Sequence, residues 1–406
     1  GTPAKYLRIF KAFYFSTFFN LVIAGWIISA FLKIFNTILG FDSTLLLVIV
    51  TFVALFYTTS SGLKGVVIND FIQYFIAFVG SIILAVCLIN SPEIGGINNY
   101  FQLVKNIPEE KLMMIPSLFG NDDFMTFLIY GTIVWWSSHN SDGGGYIIQR
   151  LCSARSEKDG ALGSIWFVLN HYVLRFAPWL LIGICTLIIF PLPDSGNIDN
   201  ETMYPLLIRD YVEGGLRGFL IVTLLAAYMS TISTQVNWGS SYLINDLYKR
   251  FYKKNESESH YVYMSKVFTV LFLFIALMVG LYIDNIGKAW VLLWSVSSGL
   301  GFFLIARWFW WRINAKAELA AMLSGFVVGL TTSVVPFFQI EDYGIKLIVT
   351  TTFTGIIWLI TMLATPPESQ EVLERFVLSV KPPGPGWKAL RQRMGVEPLD
   401  YLTNLV

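Results

Sequence analysis

Apolar residues fall in long runs rather than in alternation. About ten such stretches, each roughly 20 residues, are long enough to cross a bilayer. They occupy 9–35, 43–61, 66–90, 124–142, 161–191, 216–248, 260–283, 286–309, 316–337 and 345–364. Helices are the expected form, because unpaired backbone groups are not tolerated in hydrocarbon. The period-two pattern of an outer-membrane barrel is absent.

The segments between the runs predict orientation. Lys5, Arg8 and Lys11 precede the first run. Lys64, then Arg150, Arg155 and Lys158, then Lys249, Arg250, Lys253 and Lys254, then Arg307, Arg312 and Lys316 fill every second connection. Acidic residues fill the others, among them Glu93, Glu109, Asp122, Asp123, Asp194, Asp199, Glu201, Glu341 and Asp342. Basic loops stay on the cytoplasmic side, so both termini are expected there. The segment 366–406 reads as a cytoplasmic or interfacial tail, with an amphipathic stretch, a "KPPGPGW" break and a basic "KALRQRM".

Composition agrees. The chain is 55% hydrophobic and 14% charged, against about 25% charged for a soluble protein. Its 13 Trp suit lipid interfaces. A formal net charge of +1 points to no acidic partner, and so to no nucleic acid. Cys87, Cys152 and Cys185 form neither a disulfide framework nor a metal spacing. His139, Asp142 and His171 are too scattered for a metal site, and no Gly-x-Ser-x-Gly appears, so an enzyme is not expected. The chain begins at Gly1 without an initiator Met or a signal peptide, and reads as trimmed.

Candidate chemistry starts in "LLAAYMSTISTQVNWGSSYLINDLYKR", Leu224 to Arg250. Ala227, Ser230, Thr231 and Thr234 share one helical face, with Ser233 and Asn237 beside it. One or two hydroxyls suit helix packing. Four in the five positions 230–234 also suit a hard monovalent cation, which takes oxygen ligands. Asp70 adds an acid within the third run, where a charge costs about 2.5–3.5 kcal/mol and marks a cavity, a cation or a proton path. The alternative is an interfacial Asp paired with Lys64. Gln73 lies one turn on and can share its cavity.

The fourth run ends in "VWWSSHNSDGGGYIIQR". Either Asp142 and the glycines end the span, or a break there lines a cavity. His171 and Arg175 lie one turn apart in the fifth run. Ser295, Ser297 and Ser298 bring polar groups to the eighth.

Three segments resemble the sodium:solute symporter family. "SSGLKGVVINDFIQ" is similar to the family's Gly-Gly-Leu-Lys-Ala-Val-hydrophobic-Trp-Thr-Asp-hydrophobic-hydrophobic-Gln stretch, with Asp70 on its acid. "GYIIQRLCSARSEKDG" resembles the loop after its broken sixth core helix, and "AAYMSTISTQVNWGSSYLINDLYKR" its eighth. The resemblance implies an all-α LeuT-type fold of two inverted five-helix repeats in the cell membrane, here from the third core helix onward. A partial first repeat is expected at 5–90, the second at 124–309 and two extra helices at 316–364. It implies a main sodium site on the Ala227 carbonyl and the hydroxyls of Ser230 and Thr231. A second is implied on Asp70, Ser233 and Thr234, sharing Ser230. The family's asparagine and tyrosine that hold and gate sugar fall at Ser137 and Asn140, and a sugar-binding glutamine near Ser295. Trp135, Trp136 and His139 are neighbouring alternatives for solute contact. The first two core helices have no counterpart in this chain, so no complete solute site is expected.

The activity implied is sodium-coupled symport by alternating access, with two sodium ions per cycle. The partners implied are the lipid bilayer and a small solute: a sugar, sialic acid, amino acid or carboxylate. The alternatives are proton coupling through Asp70 and a transporter-like sensory module.

Overall fold

A computed structural model describes residues 2–113, 115–116, 122–138, 141, 144–190, 199–283 and 285–398. Among these the chain is helical, without strands. Seven helices are long and apolar enough to cross a membrane. They are α1 (Ala4–Leu39), α2 (Thr44–Ile89), α4 (Glu157–Ile189), α5 (Gly214–Tyr252), α6 (Glu258–Tyr282), α9 (Ala315–Val334) and α10 (Tyr343–Ala364). A shorter apolar helix, α3, covers Phe124–Ser137, and α7 (Ile286–Ser297) and α8 (Leu300–Phe309) are joined by a short break with a bend of 40°.

The expected runs 43–61 and 66–90 both fall inside α2. Its 46 residues would measure about 69 Å if straight, more than twice the hydrocarbon thickness. Gly62 resolves the mismatch: at φ 59° and ψ −157° it interrupts the helix and separates two arms. Only glycine adopts that conformation without steric cost.

The chain divides into two compact units. The larger holds 12–114 and 162–286, and the smaller holds 1–11, 115–161 and 287–406. In the larger unit, Ala24, Ile27, Ile28, Phe31 and Phe35 line one face of α1. They pack with Leu47, Val50 and Ala54 of α2, with Tyr228, Ile232 and Val236 of α5, and with Phe272, Leu273 and Ala276 of α6. Small residues let the backbones approach: a Cβ on Gly280 would come within 2.7 Å of Ile28 and 2.9 Å of the Gly25 carbonyl. Many large apolar side chains point outward instead, such as Phe52, Phe56, Trp166 and Phe274. Such faces suit lipid, where apolar exposure costs nothing.

In the smaller unit α9 and α10 pack closely. Asp342 caps α10 by accepting from the Ile345 N–H at 2.7 Å, and Asn314 caps α9 from Ala317 at 3.0 Å. The helices at Gln370–Val380 and Lys388–Met394 follow α10. Trp387 between them is buried, and its indole donates to the Arg307 carbonyl at 3.1 Å, which docks this segment on the end of α8.

Candidate functional site

The hydroxyl face of α5 meets the acid of α2 in the larger unit. Ser230 Oγ donates to Asp70 Oδ1 at 2.7 Å, and Thr234 Oγ1 donates to Asp70 Oδ2 at 3.1 Å. The two donors are one helical turn apart, so a single carboxylate spans both. Each hydroxyl has one O–H and two lone pairs, so it can bond the carboxylate and still offer oxygen to a cation. Asp70, Ser230 and Thr234 are all half-buried, away from bulk water yet not sealed.

The other hydroxyls are arranged differently. Ser233 is buried and its Oγ donates back to the Ser230 carbonyl at 3.0 Å. Thr231 is exposed, and its Oγ1 donates to the Ala227 carbonyl at 2.8 Å. Ala227, Ser230 and Thr231 therefore present a carbonyl and two hydroxyls along one stretch of α5. Asp70, Ser230 and Thr234 form the tighter cluster, built across two helices.

Two further residues belong to this neighbourhood. The Tyr57 hydroxyl donates to the Met229 carbonyl at 2.9 Å and lies beside Ser233, Asn69 and Gln73. Sequence reading missed it; the only signal is a phenol in the apolar run "VALFYTTS". Gln73 is 7% exposed and its side-chain carbonyl has no hydrogen-bond partner, which leaves a buried oxygen one turn from Asp70. A buried polar atom without a partner is costly.

The residues expected to contact solute lie in the smaller unit. Ser137 is buried at the end of α3, and its carbonyl accepts from the Gly299 N–H at 3.0 Å, joining α3 to the α7–α8 break. Ser295 is fully buried and donates to the Val291 carbonyl at 2.6 Å. Trp136 packs edge-on against Phe302 with ring centroids 5.5 Å apart, and its indole bonds the Thr132 carbonyl. Trp135 is 68% exposed and stands apart from them. His139, Asn140 and Asp142 lie outside the described residues. His171 stacks on Phe167 at 5.2 Å on an exposed face of α4. Among the described residues no group of three or more His, Cys, Asp or Glu could hold a metal ion.

A bundle of apolar helices, with an acid and hydroxyls meeting between two of them, is the pattern of a polar functional site inside a membrane protein. The sodium:solute symporter family profile matches residues 4–325, and the chain belongs to that family. It is 24% identical over 383 residues to the osmoregulated proline transporter OpuE of Bacillus subtilis, covering 92% of this chain and 69% of that protein. It is 26% identical over 335 residues to the high-affinity proline transporter PutP of the same organism, covering 80% and 67%. The sodium/glucose cotransporter of Vibrio parahaemolyticus is 22% identical over 361 residues, covering 81% and 64%. The chain thus spans 64 to 69% of the length of these three relatives. A solved structure of a Na+-coupled sialic acid symporter, in a substrate-bound outward-open state that reveals a novel Na+ site, superposes with a TM-score of 0.68 at 19% identity. That match covers 90% of this chain and 76% of the other, so the fold is shared. These relatives are transporters, not enzymes. With seven helices of spanning character among the described residues, the chain is a multi-pass plasma-membrane protein.

Proposed function

We propose that this chain carries out sodium-coupled symport of a small organic solute, with two sodium ions per cycle. The observation that supports it is the Asp70 carboxylate held between Ser230 at 2.7 Å and Thr234 at 3.1 Å. One sodium ion binds Asp70, Ser230 and Thr234, with Ser233 turning its hydroxyl to join. The other binds the Ala227 carbonyl and the Ser230 and Thr231 hydroxyls. Ser230 is common to both, which couples them.

The arrangement follows a LeuT-type plan with both termini cytoplasmic. A partial first repeat covers 5–90, the second covers 124–309, and 316–364 adds two helices; the tail from 366 lies at the cytoplasmic interface. Sodium stabilises one conformation over another, and solute joins it near the midplane. Each ion crossing 100 mV releases about 2.3 kcal/mol, and a tenfold gradient adds about 1.4 kcal/mol. Two ions therefore supply about 7 kcal/mol, or roughly 10⁵-fold accumulation of a neutral solute, against about 500-fold for one ion. Ser137, Ser295, Trp136 and the neighbouring Trp135, His139 and Asn140 are the proposed solute contacts.

The relatives named above transport proline, glucose and sialic acid, so these are the first solutes to test. In proteoliposomes, uptake of one of them is expected to depend on an inward sodium gradient with a Hill coefficient above one. Uptake driven equally by a proton gradient without sodium would contradict this reading.

A further inference from the structure

Tyr57 stands where the two arms of α2 meet α5. It lies on the first arm, and its O–H donates to the carbonyl of Met229, the residue before Ser230, at 2.9 Å. Asn69 and Gln73 of the second arm and Ser233 of α5 border its oxygen, within reach of the Asp70 charge. A phenol has a single proton, and Met229 takes it, so the Tyr57 oxygen is left to accept. The acceptor of its own proton is helix backbone, which fixes the ring in place.

Ser233 carries the complementary need. Its Oγ donates back along α5 to the Ser230 carbonyl at 3.0 Å. A serine that binds a cation turns its lone pairs to the ion, and its proton must then find an acceptor on another side. Ser233 is 2% exposed, so bulk water does not take that proton. A buried O–H without an acceptor is costly. Nor is the side chain locked by packing: Ser233 borders a small cavity that Ala54, Thr58, Ile232, Val236 and Leu273 also line. That cavity gives its hydroxyl room to turn.

We propose that Tyr57 is a positioning residue of the Asp70 ion site, accepting the Ser233 O–H when that hydroxyl leaves the Ser230 carbonyl to face sodium. The Tyr57 oxygen then replaces the Ser230 carbonyl as partner of the proton, and Ser233 keeps its lone pairs for the ion. This inference rests on the proposed assignment of Ser233 to that ion and extends the site to the first arm of α2.

The test is equilibrium binding of radioactive sodium to the purified protein in lipid nanodiscs, arranged as a double-variant cycle. Tyr57→Phe keeps the ring and removes the oxygen. It is expected to weaken the Asp70-dependent class of sodium sites about 3- to 10-fold, the worth of one hydrogen bond between neutral groups. Ser233→Ala is expected to weaken the same class. In the Ser233→Ala background, Tyr57→Phe is expected to add less than about twofold, because the proton it receives is gone. Thr51→Val controls for packing. It removes the Thr51–Tyr228 hydroxyl bond at 2.6 Å, another buried link between α2 and α5, and is expected to lower the melting temperature without changing sodium affinity.

Wild-type sodium affinity in Tyr57→Phe, or full additivity with Ser233→Ala, would overturn the proposal by reducing Tyr57 to a packing residue. Non-additivity of Ser233→Ala with Thr58→Val in place of Tyr57→Phe would overturn it too, by giving the proton to the Thr58 hydroxyl. If Asp70→Asn and Ser233→Ala both bind sodium like wild type, the ion site fails and this inference falls with it. If both weaken binding and Tyr57→Phe does not, the ion site stands and only this inference fails.

Discussion

Asp70 on α2 and Ser230 on α5 lie 160 residues apart in sequence and are joined at 2.7 Å, carboxylate to hydroxyl. Thr234 extends the contact by one turn at 3.1 Å. Hydrogen bonds to a charged group contribute about 1.5–3 kcal/mol. Ser230→Ala is therefore expected to raise the half-saturating sodium concentration by about 10- to 150-fold, because it removes an oxygen from both proposed ion sites. Thr234→Val touches one site and is expected to shift it less, by about tenfold at the lower end of that range. Sodium titration of solute uptake by each variant measures both effects.

The helices that hold this pair meet again at Gly80 and Thr223. A Cβ on Gly80 would sit 2.2 Å from Thr223 Cγ2 and 2.9 Å from its Cβ. Thr223 is buried, β-branched, and held by its bond to the Leu220 carbonyl at 2.7 Å, so it cannot rotate aside cheaply. Gly80→Ala is expected to cost about 1–3 kcal/mol through overpacking. A lower melting temperature in detergent and weaker sodium binding are expected together, since the α2–α5 spacing sets the Asp70–Ser230 distance.

A surface anchor gives a pH dependence. Lys33 on α1 donates to Asp199 at 2.8 Å and to Glu201 at 2.5 Å, and Glu201 also accepts from the Ile286 N–H at 3.1 Å. The Lys33 ammonium, helped by the Glu201 N–H, holds the Asp199 carboxyl below its ordinary 3.8. A depressed carboxyl contributes stability that is present above the unfolded value and lost as pH falls through the folded one. Hydrogen-exchange protection around Asn200–Thr202, taken relative to the intrinsic rate at each pH, is thus expected to be unchanged from neutral pH down to about 4 and to fall below 3.8. Lys33→Met is expected to show the lower protection already at neutral pH.

The legible parts of this molecule are those where lipid makes a residue expensive. An acid inside an apolar run and a crowded hydroxyl face both demand an explanation, and the structure brings Asp70, Ser230 and Thr234 together. The gap between 61 and 66 also has a physical counterpart in the Gly62 break. Span counting fared differently: α3 ends at Ser137 and Ser138 is not helical, while His139, Asn140 and Asp142 lie outside the described residues. Tyr57 carried no signal, since a phenol in an apolar run looks like an ordinary core aromatic until its hydroxyl meets Met229.

The central claim rests on Asp70 as a sodium ligand rather than a packing residue. Sodium binding at equilibrium, wild type against Asp70→Asn, with lithium and proton competition, tests it most directly. The expected result is two saturable ions for the Asp70 and Ala227 sites in wild type, with one lost in Asp70→Asn and maximal solute accumulation falling from about 10⁵-fold toward about 500-fold. Unchanged sodium stoichiometry and accumulation in Asp70→Asn would contradict the account.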